Sequence, residues 1–474
     1  MHRRTQFKQI IPHSGEQCPC GSGVAFGNCC ADHLPGFDRG NSAREARANG
    51  DWNSALIACR ADVTQYTIWH RSHTVPGLAQ GNPAIGYLLR VDIDALASMT
   101  DDLCFVYFRL DRQTKIPTVL ERLRGNINHP RWQRKITYFQ SLLAHVRDDE
   151  RSARAEFEKL GPVGDAEDDI EILQLYMDLY GDDMAFSQKI AVCDQILRLT
   201  KSISDVLQYN GLKAFSHAAI GELQQARSPL AVAVAEARRR EAEKPLSIRA
   251  KVLFAGILAY QGLLGEKQAA FDEAVARYHE LLEDLAAWTP EGRAMIQRDL
   301  GECLRYMGRW TEAEEAYRAA LSSHPEAIAG VFLAECLAWQ KKIGPAVETL
   351  NSIDAVALSD SEKVDHAYTA AIVAVKSGDS ERMKTAIDFL RAAKTSAPYF
   401  EERRLKLIIE LQEAVANGKP PARMKSLAKW LRQPLRTLSR YAILQPSVFG
   451  FGININAVID DVDKASIGMS EHQK

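Results

Sequence analysis

Cys18, Cys20, Cys29 and Cys30 crowd four of the chain's nine cysteines into the stretch CPCGSGVAFGNCC. The spacing, C-x-C-x8-C-C, sets two close pairs at the ends of a glycine-rich loop. Clustered thiols in a long chain point to a metal site before they point to disulfides. Zn2+ takes four ligands in a tetrahedron, with Zn–S near ~2.3 Å, and two pairs joined by a flexible loop can supply that geometry. Gly21 and Gly23 permit positive φ, so the chain can turn sharply after the first pair and aim backbone amides at the thiolates. A site filled entirely by protein ligands is closed, the structural rather than the catalytic form of zinc centre. Two other readings stand beside this one. The stretch could be a stapled N-terminal cap with no partner of its own. Cys29 and Cys30 could be a redox pair, although they lack C-x-x-C spacing.

No other constellation offers comparable chemistry. The sequence has no G-x-x-x-x-G-K-[ST] phosphate loop, no H-E-x-x-H and no nucleophile elbow. His70 and His73, in WHRSH, stand three apart without a third ligand and read as surface histidines. The chain has 474 residues and a net charge of −2, so no global field marks it as a nucleic-acid binder. Nine cysteines in this length do not make a disulfide scaffold. The N-terminal MHRRTQFKQIIPH lacks the apolar run of a signal peptide, and no stretch of about twenty residues is apolar enough to span a bilayer. The expectation is a non-enzymatic, cytoplasmic protein, rich in the residues that favour helix.

The cysteine stretch resembles the SEC-C motif, the zinc-binding knuckle at the C-terminus of the SecA translocation ATPase and in many other bacterial proteins. Cys18, Pro19, Cys20, Gly21, Ser22, Gly23, Phe26, Cys29 and Cys30 match its pattern. Val24, Ala25 and Gly27 depart from it, where lysines are usual. The resemblance implies zinc on the four cysteines and, from SecA, contact with a chaperone or the ribosome.

The elements that carry this knuckle read as a chain of helix pairs. In LGECLRYMGRWTEAEEAYRAALSSHP, Leu300, Gly301 and Leu304 mark a first helix and Gly308 breaks it. Ala313, Tyr317 and Ala320 mark a second helix, and Pro325 ends the unit. Gly301 and Ala313 are small where two antiparallel helices would cross closely. This unit resembles the tetratricopeptide repeat, a helix–turn–helix of about 34 residues. Gln297 stands where that repeat carries its first-helix tryptophan. Weaker copies include Ala334, Leu337, Ala346 and Leu350; Ala371, Gly378 and Ile387; Ala226, Leu230 and Ala233; Ala153, Phe157 and Leu160; and Gly50, Ala55 and Cys59. Helix pairs are expected from about residue 41 to about 415. The stretch from about 75 to 130 fits worst and could be a divergent pair or an insertion.

Stacked pairs bury one another's apolar faces and leave a concave wall formed by the first helix of each pair. On that wall the repeats place Arg298, Glu302 and Arg305, then Glu335 and Trp339, as residues for a partner protein. The alternative for the charged ones is a solvated helix face, and Trp339 could equally be core.

The last segment changes character. Between Glu413 and Asp460 no acidic residue occurs. Lys425, Lys429, Arg432, Arg436 and Arg440 form a basic stripe beside the apolar Met424, Leu427, Leu431, Leu435 and Leu438. The stripe could cap the helix array, bind nucleic acid or a ribosome, or lie on a membrane surface. Beyond it, Phe449 and Phe451 alternate with glycines and predict one strand, either packed on its own chain or added to a partner.

The sequence therefore predicts an all-α, tetratricopeptide-like α-solenoid in four parts: a zinc knuckle at 1–40, divergent helices at 41–130, the main array at 131–415 and a basic tail with a strand at 416–474. Its expected role is a protein-binding adaptor, in the manner of helper chains in multi-gene bacterial stress or antiphage systems. The runner-up is a nucleic-acid- or ribosome-associated regulator.

Overall fold

The computed structural model describes residues 11–36, 41–73, 83–147, 149–161, 170–181, 183–265, 268–283, 288–354, 358–393 and 398–417. These fall into two compact units, residues 11–179 and 180–417. The basic stripe from Lys425 to Arg440, the strand with Phe449 and Phe451, and the rest of 418–474 lie outside the described residues. Among the described residues the architecture is helical throughout, and the one β-bridge joins Gln17 to Ala25.

The first unit begins with the cysteine loop and two 3-10 turns, Phe26–Asn28 and Ala31–Gly36. Its helices are α1 (Asn41–Ala48), α2 (Trp52–His73), α3 (Pro83–Arg109), α4 (Ile116–Arg124), α5 (Pro130–Val146), α6 (Glu150–Glu158) and α7 (Ile170–Tyr180). The doubtful stretch from 75 to 130 thus holds the long α3, which packs along α2, and the short α4. Packing is continuous through position 130. Trp132 on α5 is fully buried and its indole Nε1 donates to the Leu123 carbonyl of α4 at 2.9 Å. Pro130 opens α5 at its first position, where its missing N–H costs nothing, and His129 accepts from the Arg131 amide.

The second unit comprises α8 (Phe186–Leu199), α9 (Ile203–Ala219), α10 (Leu223–Glu243), α11 (Ile248–Gly265), α12 (Gln268–Glu283), α13 (Pro290–Tyr306), α14 (Trp310–Ser323), α15 (Ala327–Trp339), α16 (Ile343–Asn351), α17 (Asp360–Ser377), α18 (Ser380–Ala392) and α19 (Pro398–Asn417). Consecutive helices pair, from α9 with α10 to α17 with α18. The first helices also touch in series, α9 to α11, α11 to α13, α13 to α15 and α15 to α17. α19 packs on α18 and also meets α9. This is the tetratricopeptide-type arrangement.

The turns share one device. A residue with left-handed φ stands two positions before the second helix of a pair: Gly50 before Trp52, Gly221 before Leu223, Gly308 before Trp310 and Gly378 before Ser380. Glycine takes this conformation without a Cβ penalty. Lys341 occupies the same place before Ile343, with φ of 65°. Starts are capped by short polar side chains. Ser359 and Glu362 make a reciprocal capping box at α17, and Asp379 accepts from two amides of α18.

Close approach explains the small residues. A Cβ on Gly301 would lie 3.0 Å from the ring of Tyr317, itself fully buried. Gly262 meets Phe271 in the same way, at 2.8 Å. Helices α11 and α15 are apolar almost all round because they lie inside the unit. Ile248–Gly265 has the length and apolarity of a membrane span, against the sequence expectation, but most of it is buried among its neighbours as a core helix. Between second helices, Arg277 on α12 forks both oxygens of Glu241 on α10, each at 2.9 Å, with its guanidinium 4.1 Å from the centre of the Phe254 ring.

Candidate metal centre

The cysteine loop folds as a small hairpin. The Cys18 amide donates to Val24 O at 2.9 Å, and the Phe26 amide donates to Glu16 O at 2.7 Å. Gly21 and Gly23 both take left-handed φ, 76° and 78°, which turns the chain between the cysteine pairs. Phe26 is buried beneath the loop with Cys18, Cys20 and Cys30. The four Sγ atoms lie within 4.8 Å of one another, and none forms a disulfide. Cys20 and Cys29 approach to 3.5 Å, Cys29 and Cys30 to 3.7 Å. A tetrahedron with ~2.3 Å metal–sulfur bonds needs sulfur separations of about 3.8 Å. The donor set therefore fits a closed, four-thiolate centre. Among the described residues this is the one place where three or more potential ligands converge.

Thiols this close share protons unevenly. Cys29 is held well below the ordinary thiol range, by Cys18 first and then by Cys20 and Cys30, with the Ser22 hydroxyl helping. Cys18 falls to about 7, chiefly through Cys20. Cys20 and Cys30 are pushed up, each by Cys18 first. A divalent cation would hold all four as thiolates and displace their protons. The other five cysteines differ: Cys59, Cys104, Cys193, Cys303 and Cys336 are buried, and desolvation pushes each thiol up, Cys59 to about 12.

The loop is seated on the helices that follow. Arg122 of α4 donates to Gly21 O at 3.3 Å, and Asn126, just past α4, donates through Nδ2 to Pro19 O. Arg71 of α2 donates to Asn126 O at 3.1 and 3.0 Å, fixing that residue in turn. A Cβ on Gly21 would strike Val119 and Leu123 at 3.0–3.2 Å, and one on Gly23 would overlap the Arg122 guanidinium. Thr64 of α2 lies 3.5 Å from Cys18 Sγ. Sequence reasoning treats the first forty residues as a separate part and finds none of this seat. Its members stand 46 to 107 positions from the loop residues they touch, and no local spacing signals them.

Of the residues expected on a groove, Glu302, Arg305 and Glu335 are buried in the second unit, while Arg298 and Trp339 are partly exposed. Arg305 of α13 and Glu335 of α15 pair at 2.9 Å with exposures of 1% and 0%. The Arg305 guanidinium also lies 4.4 and 4.5 Å from the ring centres of Tyr306 and Phe332. Glu302 is buried beside them. Arg298 pairs with Glu326 at 2.9 Å and with Asp299 at 3.2 Å. Trp339 is half-buried, stacked on Trp310 at 5.3 Å, with the Lys376 ammonium 3.7 Å over its ring. His70 is buried, not on the surface, with its ring edge-on to His129 at 6.1 Å.

The sequence pattern of the SEC-C motif family matches residues 16–32. No curated protein sequence is similar to the chain. Among solved structures, a Rap protein complexed with competence and sporulation factor gives a TM-score of 0.33 at 12% identity, covering 85% of this chain and 99% of that one. The APC/C hetero-tetramer Cut9-Hcn1 gives 0.41 at 16% identity, covering 92% and 87%. The TPR domain of P58(IPK) gives 0.25 at 15% identity, covering 75% and 99%. Likenesses this weak say nothing of partners. Residues 16–32 match the SEC-C motif, and the paired helices of the second unit, by their own contacts, form an array of tetratricopeptide type.

Proposed function

We propose that this chain is a non-enzymatic adaptor in which the row of helix pairs holds a partner protein and a structural zinc ion fixes the knuckle. The observation that carries the reading is the serial contact of first helices from α9 to α17. Such a row sets side chains from distant parts of the sequence side by side, which suits an extended peptide or a partner helix. The four-thiolate, closed donor set favours zinc, with iron as the competing metal for a tetrahedral sulfur site. A helper chain beside a separate effector in a bacterial cytoplasm is one setting that suits such an adaptor.

The test is capture of partners from native lysate on the immobilised full chain, with and without nuclease, at two salt concentrations. A protein retained after nuclease and at high salt supports the adaptor. Binding that vanishes with nuclease, or falls steeply with salt, replaces it with the nucleic-acid or ribosome reading. Elemental analysis should find about one zinc per chain; iron in its place, or no metal, overturns the zinc assignment.

A further inference from the structure

We propose that Thr64 is a positioning residue of the metal centre: its hydroxyl donates to the Cys18 thiolate, and through it metal occupancy is coupled to helix α2. The inference rests on the metal reading above. Thr64 is fully buried, and its Oγ1 lies 3.5 Å from Cys18 Sγ. A buried hydroxyl needs a partner, and a metal-bound thiolate carries no proton, so in the loaded centre the hydroxyl must be the donor. On the same helix Thr67 and Ser72 turn their hydroxyls back to the carbonyls of Val63 and Ile68, at 2.8 and 2.7 Å. Thr64, one turn earlier, lies against sulfur.

The role has a physical reason. A divalent cation with four thiolates leaves a net charge of −2 in a largely buried site, which needs donors and positive charge around it. Ser22 supplies one hydroxyl from within the loop, 3.2 Å from Cys29 Sγ. Thr64 supplies the second from outside. Arg60, one turn before Thr64, is half-buried with its Nη2 on the Tyr107 hydroxyl at 2.8 Å. Helix α2 thus presents the Thr64 hydroxyl to the centre.

The test uses the full chain and two readouts: zinc affinity by chelator competition, and the sulfur-to-metal charge-transfer band of the Co2+-loaded protein. Thr64→Val removes the donor at nearly constant volume. It should weaken zinc binding about tenfold or more and shift the band. Thr64→Ser keeps the hydroxyl and should restore both. Thr67→Val, which removes a neighbouring buried hydroxyl that serves only its own helix, should leave the band unmoved. Wild-type affinity and band in Thr64→Val, or an equal loss in Thr67→Val, overturns the proposal. A wild-type chain that takes up neither metal overturns the metal reading itself.

Discussion

The knuckle and the helix row reach order by opposite routes. The knuckle has a core of Cys18, Cys20, Phe26 and Cys30, too small to hold a fold by burial alone. Its order depends on a few atoms that converge on one point. The row in the second unit spreads its order over a continuous core from Leu207 to Ala414, where each pair leans on its neighbours and no single contact decides the outcome. On the proposed metal reading, one region is all-or-none in a single ligand; the other degrades by increments.

The sharpest way to break that comparison is to remove the metal. Cys20→Ser, or treatment with a strong chelator, should cost the knuckle binding free energy on the order of 10 kcal/mol. Hydrogen exchange should then rise through residues 14–34 and at the ends of α2 and α4 that seat them, while α11 to α16 stay protected. Uniform loss of protection in both units would erase the distinction. A large change in the row is Tyr317→Ala. Tyr317 is fully buried against Gly301, so a cavity costing about 3–5 kcal/mol follows. Metal content should not change, and exchange should rise mainly in α13 to α15.

Smaller effects sharpen the picture. Lys341→Gly relieves a left-handed φ at a turn that elsewhere uses glycine, and should stabilise by about 0.5–1 kcal/mol. Gly308→Ala should do the reverse, read as a shift in denaturant midpoint. The smallest change is electrostatic. The Arg277 hydrogen bond holds the Glu241 carboxyl below its ordinary value of 4.5. Its contribution is therefore fully present above pH 4.5 and is lost as pH falls through the lowered value. Glu241 is a third exposed, so screening limits the effect to under ~1 kcal/mol. Glu241→Gln should narrow the gap in melting temperature between pH 7 and pH 3.

Legibility in the sequence followed the range of the forces involved. The four cysteines and the glycines between them act on their neighbours, so their spacing alone located the centre. Leu300, Gly301, Ala313 and Tyr317 work at fixed offsets within one pair, and they pack as their types require. Lys341 hides a turn that its neighbours announce with glycine, because a left-handed lysine leaves no mark in composition. The sequence offers Arg305 and Glu335 as groove residues or a solvated face, since periodicity cannot show that a guanidinium pairs with Glu335 and lies against Tyr306 and Phe332. Thr64, Arg122 and Asn126 were beyond reach, because nothing near them in the chain refers to the cysteines.

The Asn126 bond to Pro19 closes a span of 107 residues, and that span has a cost in time. A ribosome adds about 5–20 residues each second, so the motif's thiols emerge roughly 5–20 s before the helix that will cradle them. During that interval the turn at Pro19 and Gly21 lacks the floor that Val119, Leu123, Arg122 and Asn126 later provide, and the loop has only its own small core of Cys18, Cys20, Phe26 and Cys30 to hold it.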